Sequence, residues 1–504
     1  MPMVRNTLFI TLATLGSRLL GLLRDGLIAY WFGVGGQSDA FFAAFRLPNA
    51  MRRLLLEGAF SQALLPQLKY HAKQHTLAAF LYHTLRRQAA WALLWTVLAA
   101  WFMPWILALL VPGFAASPNT LVLAIEWARW MLPYGGLACL TGILGSYLLF
   151  KERPLLPAML PMILNFGMIL AGFVLAPYLA RPMNALPIGL VLAGGVQLCV
   201  VMMAVYRIGL ARSGIALSCG YASGWSFGPA LWLAIMAQAH WLLDTWAASY
   251  LQPGSVSWLY YGERLLEFPL GLGSALLSTL FLTRLVDYQG QHDRDFQHWV
   301  AGGLKVCVML GLPAVLGLAW LARPIMTVLF LAGDFSAQDA RQAALSLAAY
   351  APGLLGLLIS KTLISAAAAT RQLARLLPMV LGCLLLHGLL NGLLMALGNH
   401  QNLAAAASVS VLLQAVLMLR CAQRYGWYCS AQMSGRWLLK VLLACLAMAL
   451  LLTGFDPSAL LAEPRRLMQL TLLGTWIVAA MLVYALTLAL LNKAAPAWRR
   501  PGRS

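Results

Sequence analysis

The sequence predicts an all-α polytopic membrane protein of about fourteen transmembrane helices, built as two six-helix lobes in parallel pseudo-repeat plus two C-terminal helices. Three observations predict it. Of 504 residues 61% are hydrophobic and 10% charged, which is too apolar for a water-soluble globule. Apolar runs of about twenty residues, each able to cross the hydrocarbon core as a helix, recur along the whole chain. Sliding the chain by 217 residues lays Ser38 on Ser255, Phe41 on Trp258, Ser61 on Ser278, Leu65 on Leu282 and Leu68 on Leu285, and the first and seventh runs lie the same distance apart to within a few residues.

Taken in order, the spans fall near 7–32, 38–67, 89–111, 120–149, 156–178, 186–206, 227–250, 256–284, 300–331, 339–369, 374–397, 403–420, 437–454 and 467–491. The first lacks a short clean apolar core and a small-residue cleavage site, and is expected to be retained. Pro48 removes a hydrogen bond from the second and should kink it beside Arg46. Tyr70 to Gln88 alternates basic and apolar residues and is expected to lie flat on the membrane surface. The repeat divides the chain into lobes at 1–215 and 216–425, and 426–504 adds two helices and a short basic tail.

There are 35 Lys plus Arg against 15 Asp plus Glu, a formal charge of +20 that in a soluble chain would suggest nucleic acid. Position argues otherwise, because most of these cations occupy short connections between spans. Alternate connections carry Lys69, Lys73, Arg86 and Arg87; Lys151 and Arg153; Arg207 and Arg212; Arg284, Arg294 and Lys305; Arg371 and Arg375; and Arg420, Arg424, Arg436 and Lys440. The opposite connections hold only Arg181, Arg323, Arg341, Arg465 and Arg466, which places both termini in the cytoplasm and leaves no nucleic-acid partner to expect. Eight cysteines lie mostly in or beside apolar spans without a CxxC pair, and are read as small core residues with neither a disulfide framework nor a metal site.

The exceptions to apolar spans carry the function. Ser17 to Gln67 holds Arg18, Arg24, Asp25, Asp39, Arg46, Arg52, Arg53 and Glu57. A central Arg costs about 2.5–3.5 kcal/mol on insertion scales, so these groups must face water or one another, as in a polar chamber within the membrane. On a helix Ser17, Gly21 and Arg24 share one face, with Arg18 and Asp25 about 100° away. Arg46, Asn49, Arg53 and Glu57 form one stripe of the second span, with Arg52 to its side. The eighth span repeats the theme with Glu263, Arg264, Glu267 and Pro269, and Glu267 stands within helical reach of Arg264.

Guanidinium groups stay charged and bind phosphate bidentately, so Arg18, Arg24, Arg52 and Arg264 are candidates to hold an anionic, phosphorylated substrate, with Ser17 and Asn49 beside them. The alternative is a set of internal pairs that only fix packing, Asp39 neutralising Arg46 and Glu57 neutralising Arg53. Asp244, with His240 one turn before it and Asn391 in the eleventh span, is a candidate to carry a coupling proton or Na⁺, or else a hydrogen-bonded structural carboxylate. Lys361 is either another cavity cation or a snorkelling one. No GxxxxGK[ST], HExxH or GxSxG motif is present, which argues against ATP hydrolysis and leaves a membrane transferase only with an unfamiliar site.

Gly16-Ser17-Arg18, GLLRD at Gly21–Asp25, SDAFF at Ser38–Phe42, FRLPN at Phe45–Asn49, Arg52-Arg53 and EGAFSQ at Glu57–Gln62 together resemble the N-terminal signature of the MurJ (MviN) lipid II flippases. GSVSWLYY at Gly254–Tyr261 followed by ERLLEFP at Glu263–Pro269 is similar to that family's eighth-helix segment. The resemblance implies the multidrug/oligosaccharidyl-lipid/polysaccharide exporter fold, a cationic cavity between the lobes, and a groove for a polyprenyl tail on the last two helices. It implies movement of undecaprenyl-diphosphate-linked peptidoglycan precursor, lipid II, from the cytoplasmic to the periplasmic leaflet of the bacterial inner membrane by alternating access. No catalysis and no cofactor are implied beyond coupling to Na⁺, H⁺ or the membrane potential. Membrane lipids and cell-wall synthesis proteins are the further partners to expect. Family cavity positions map onto Ser17, Arg18, Arg24, Asp39, Asn49, Arg52, Glu57 and Arg264. Two departures stand out: Glu263 replaces an Asp common before the arginine, and Ala366–Ala369 replaces a Pro-Gly-aromatic bend near the end of the tenth helix. Other readings are a flippase for another polyprenyl-diphosphate oligosaccharide, a drug exporter, and a non-transporting scaffold of envelope assembly.

Overall fold

A computed structural model describes residues 2–56, 59–209, 228–277, 294–429, 434–456, 460, 463 and 465–493. Among them are seventeen α-helices and no strand, as the apolar periodicity predicts. The chain forms two compact units, Met1–Ser257 and Trp258–Ser504.

The first unit holds α1 (Pro2–Phe32), α2 (Gly36–Leu56), α3 (Ala59–Lys73), α4 (Leu77–Leu110), α5 (Pro118–Phe150), α6 (Leu155–Val174), α7 (Ala185–Arg207) and α8 (Pro229–Ala248), with α9 (Ser255–Leu277) starting at its end. Helix α5 packs on α2, α4 and α7, and its Trp127 meets Phe41 edge-on beneath the Phe41–Phe45 stack. Small residues let the backbones close up: a Cβ on Gly167 would stand 2.5 Å from that of Ala193, and one on Gly189 2.4 Å from that of Ala171. Such contacts hold helices together where lipid removes the hydrophobic drive to associate. Helix α2 runs through Pro48 without interruption. The expected surface segment Tyr70–Gln88 is not a separate element. It divides between the end of α3 and the start of α4, whose 34 unbroken residues span about 51 Å and so outrun the hydrocarbon core.

The second unit continues with α10 (Arg294–Trp320), α11 (Ala322–Phe330), α12 (Ala337–Tyr350), α13 (Gly353–Ala369), α14 (Leu377–Leu394), α15 (His400–Arg424), α16 (Gly435–Thr453) and α17 (Arg466–Lys493). The ninth expected span is broken at Leu321, and the tenth bends by 44° between α12 and α13, where Pro352 removes an amide donor. That bend lies well before Ala366–Ala369, which form the last turn of α13. The internal repeat is visible in helix ends, since α7 stops at Arg207 and α15 at Arg424, 217 residues apart. Helices α16 and α17 pack on each other through Leu452, Phe455 and Trp476.

By length and hydropathy, nine of the described helices qualify as membrane spans, ten with the bent α12–α13 pair counted as one. Helices α1, α2, α8 and α9, which carry the charged and polar residues of interest, are not among the nine. Fourteen crossings are therefore not established by these criteria.

One glycine makes a testable backbone contact. Gly113, in the turn between α4 and α5, donates its N–H to Ser249 Oγ at 3.1 Å, and a Cβ there would stand 2.2 Å from the Ser249 carbonyl oxygen. Gly113→Val is expected to destabilise the fold by about 1–3 kcal/mol or more, read as a lower thermal midpoint in detergent. Gly195→Ala, with nothing within 4 Å, should leave it unchanged.

Candidate functional site

Helix α1 carries an ion pair formed by sequence neighbours. Arg24 Nε and Nη2 donate to Asp25 Oδ1 at 2.9 and 2.5 Å, and Nη1 donates to Asn165 Oδ1 of α6 at 3.0 Å. The guanidinium carbon stands 5.4 Å from the Phe45 ring centroid, and Arg24 and Asp25 are 4% and 0% exposed. Asn165 Nδ2 also donates to the Ser17 carbonyl at 3.1 Å, so one amide ties α6 to α1 at two points about two turns apart. Ser17 and Arg24 do share a face, and Asn165 covers it. Of the four candidate phosphate ligands Arg24 is thus the enclosed one, while Arg18, Arg52 and Arg264 are partly exposed.

Asp39 lies in the first turn of α2, 3% exposed. Its carboxylate accepts from the Gly254 N–H at 2.6 Å, the Ser257 N–H at 2.8 Å and Ser257 Oγ at 2.6 Å. These are the amides at the start of α9, where orphan donors and the helix dipole favour an anion. The reading that Asp39 neutralises Arg46 is corrected by this capture; Arg46 Nε instead donates to Thr245 Oγ1 of α8 at 3.0 Å. Ser38 meets Ser257 Oγ at 3.2 Å, so positions 38 and 39 both serve this junction.

Further along α2, Arg52 donates through Nε and Nη2 to Asn49 Oδ1 at 3.3 and 3.1 Å. Arg53 is partly exposed, and Glu57 lies outside the described residues. On α9, Arg264 Nη1 reaches Glu267 Oε2 at 2.6 Å, the contact their spacing predicts, with side chains 18% and 17% exposed. Glu263 beside them is buried. Lys361 of α13 is exposed, with Nζ donating to Ser274 Oγ at 2.8 Å.

His240 and Asp244 are buried one turn apart on α8. Asn391 of α14 is buried too, and its Nδ2 stands 3.2 Å from His387 Nε2 on the same helix. Among the described residues no group of three or more His, Cys, Asp or Glu side chains is arranged to hold a metal ion.

Sequence reading missed Asn165, Thr245, Ser257 and His387. Two of these left a signal: His387 lies four residues before Asn391, and Asn165 is the single amide in the apolar run of α6. Thr245 and Ser257 left none, because their partners are about two hundred residues away.

The model of the family described as lipid II flippase MurJ matches residues 28–460. The chain belongs to that family. A Burkholderia cenocepacia protein named lipid II flippase MurJ is 30% identical over 488 residues, covering 92% of this chain and 93% of its own. A Haemophilus influenzae relative named "Probable lipid II flippase MurJ" is 31% identical over 510 residues, covering 95% and 98%. A solved MurJ structure described as inward closed shares the fold with a TM-score of 0.80 at 22% identity, over 97% of this chain and 99% of that one. A MOP superfamily transporter from Pyrococcus furiosus follows with a TM-score of 0.61 at 12% identity, over 85% and 96%. MurJ family membership makes this multi-pass membrane protein a transporter and not a catalyst.

Enclosure changes what loss of Arg24 should do. Arg24→Ala leaves a fully buried carboxylate without its guanidinium and is expected to destabilise the protein by about 3–5 kcal/mol, read as reduced membrane level and thermal midpoint. Replacing Arg24 and Asp25 together by similarly sized apolar residues should recover much of that loss. A single variant as stable as the parent would show that the pair does not hold α1.

Proposed function

We propose that this chain flips lipid II across the bacterial inner membrane, with both termini in the cytoplasm. The observation that carries the reading is the MurJ family match across residues 28–460, a stretch that contains all but two of the singled-out arginines. Leaflet-resolved movement of purified lipid II in proteoliposomes tests it directly; unaltered lipid appearing in the opposite leaflet supports it. A chemically changed lipid would indicate an enzyme, and no movement at all would leave a scaffold.

For the headgroup, the proposal assigns the diphosphate to the partly exposed guanidinium groups of Arg18, Arg52 and Arg264. Their chemistry supports this: planar forks bind phosphate oxygens in pairs and tolerate partial dehydration. Asn49 and Glu267, which each hold one of these arginines, would keep the forks oriented before substrate arrives. The polyprenyl chain stays in lipid while alternating access of the headgroup site carries the sugars and peptide across. Arg52→Ala and Arg264→Ala are each expected to reduce the transport rate more than tenfold, because loss of a charge-assisted contact removes about 1.5–3 kcal/mol. Membrane level should stay normal, in contrast with Arg24→Ala; full activity removes that residue from the site.

A potential negative in the cytoplasm acts on mobile charge at about 2.3 kcal/mol per charge per 100 mV. It would favour return of an emptied, cationic carrier site. Collapsing the potential in loaded vesicles should therefore slow turnover, and an unchanged rate would separate transport from charge movement.

A further inference from the structure

The indole of Trp258 is 5% exposed, and its Nε1 donates to Asp339 Oδ1 at 3.0 Å. The other oxygen of that carboxylate, Oδ2, accepts from the Ser336 N–H at 3.0 Å and Ser336 Oγ at 2.6 Å, closing a capping box at the start of α12. One carboxylate thus ends α12 and grips α9. The indole also meets the His400 ring at 5.0 Å between centroids, and a Cβ on Gly262 would lie 2.9 Å from the Leu347 amide nitrogen of α12. Trp258 and Gly262 lie on one face of α9. At 100° per residue Glu267 falls about 180° around the helix from Trp258, and Arg264 about 120°. The gripped face and the arginine face are therefore separate, and rotation of one sets the other.

We infer that Trp258 and Asp339 are a positioning pair: their hydrogen bond sets the rotation of α9, and so the reach of Arg264 toward the diphosphate of the lipid substrate. The inference rests on the assignment of Arg264 made above. A rigid grip matters because a misplacement of an ångström in a positioned charge is worth about a hundredfold in rate.

Two variants separate positioning from folding. Trp258→Phe removes the indole N–H and keeps a ring against His400. Asp339→Asn keeps a carbonyl oxygen for the indole but weakens the α12 cap, since its NH₂ cannot accept from the Ser336 N–H. With the full-length chain in proteoliposomes and purified lipid II as the probe, Trp258→Phe is expected to slow movement about tenfold with only a small loss of thermal midpoint. Apparent affinity for lipid II should weaken in parallel. Asp339→Asn should show the reverse, a lowered midpoint with transport largely kept. Trp258→Phe moving lipid II at the parent rate overturns the inference, as does a loss that only tracks the midpoint. If Arg264→Ala also transports normally, the headgroup assignment fails as well. An inactive Arg264→Ala beside a fully active Trp258→Phe confines the failure to the positioning pair.

Discussion

Placing a guanidinium inside a helix bundle surrounded by lipid obliges its N–H groups to find oxygen within the protein, because the surroundings supply none. The Arg24 cluster shows how much structure that requires. Asp25 neutralises the charge through two nitrogens, Asn165 takes the third, and the Phe45 ring lies against the guanidinium. Asn165 meets the demand only by coming from another helix, and once there it binds the Ser17 carbonyl as well. The polar requirement of one side chain thereby fixes α6 on α1. Removal of both charges is less damaging than removal of one, as for buried ion pairs generally.

Asp39 is the same constraint with the sign reversed. Its carboxylate is drained by two backbone amides and a hydroxyl at the start of α9, a site that the helix terminus makes electropositive without any cation. A carboxylate satisfied in that way is not available to neutralise Arg46. On α2, Arg46 donates to Thr245 Oγ1 and Arg52 to Asn49 Oδ1, neutral oxygens that help to hold the two guanidinium groups in place.

What was legible in the sequence follows from range. Apolar runs, the 217-residue offset and the contact of Arg264 with Glu267 are set within one helix or by composition, and all appear in the structure. The partner of Asp39 lies 215 residues away at Gly254, and no local pattern marks it. The run Tyr70–Gln88 looked like a surface helix because basic residues interrupt it. Continuity of α4 overrides that, since a helix longer than the bilayer is thick can carry its own polar end into the aqueous phase. The bend near Pro352 is readable from the proline alone, and it lies before Ala366–Ala369, where the family's bend motif is missing.

The arginines that looked alike in sequence therefore divide by what surrounds them. Arg24 is enclosed and matched by a full carboxylate, and so contributes to holding helices more than to net charge at a surface. Arg264 shares a carboxylate while both side chains remain about one-sixth exposed, where water keeps the pairing weak enough to exchange for a better anion. On the proposed assignment, a doubly charged diphosphate, with more oxygens and more charge than one carboxylate, would displace Glu267 from the half-open Arg264 more readily than Asp25 from the enclosed Arg24. On that assignment burial, more than residue type, separates the cations that bind substrate from those that bind the protein to itself.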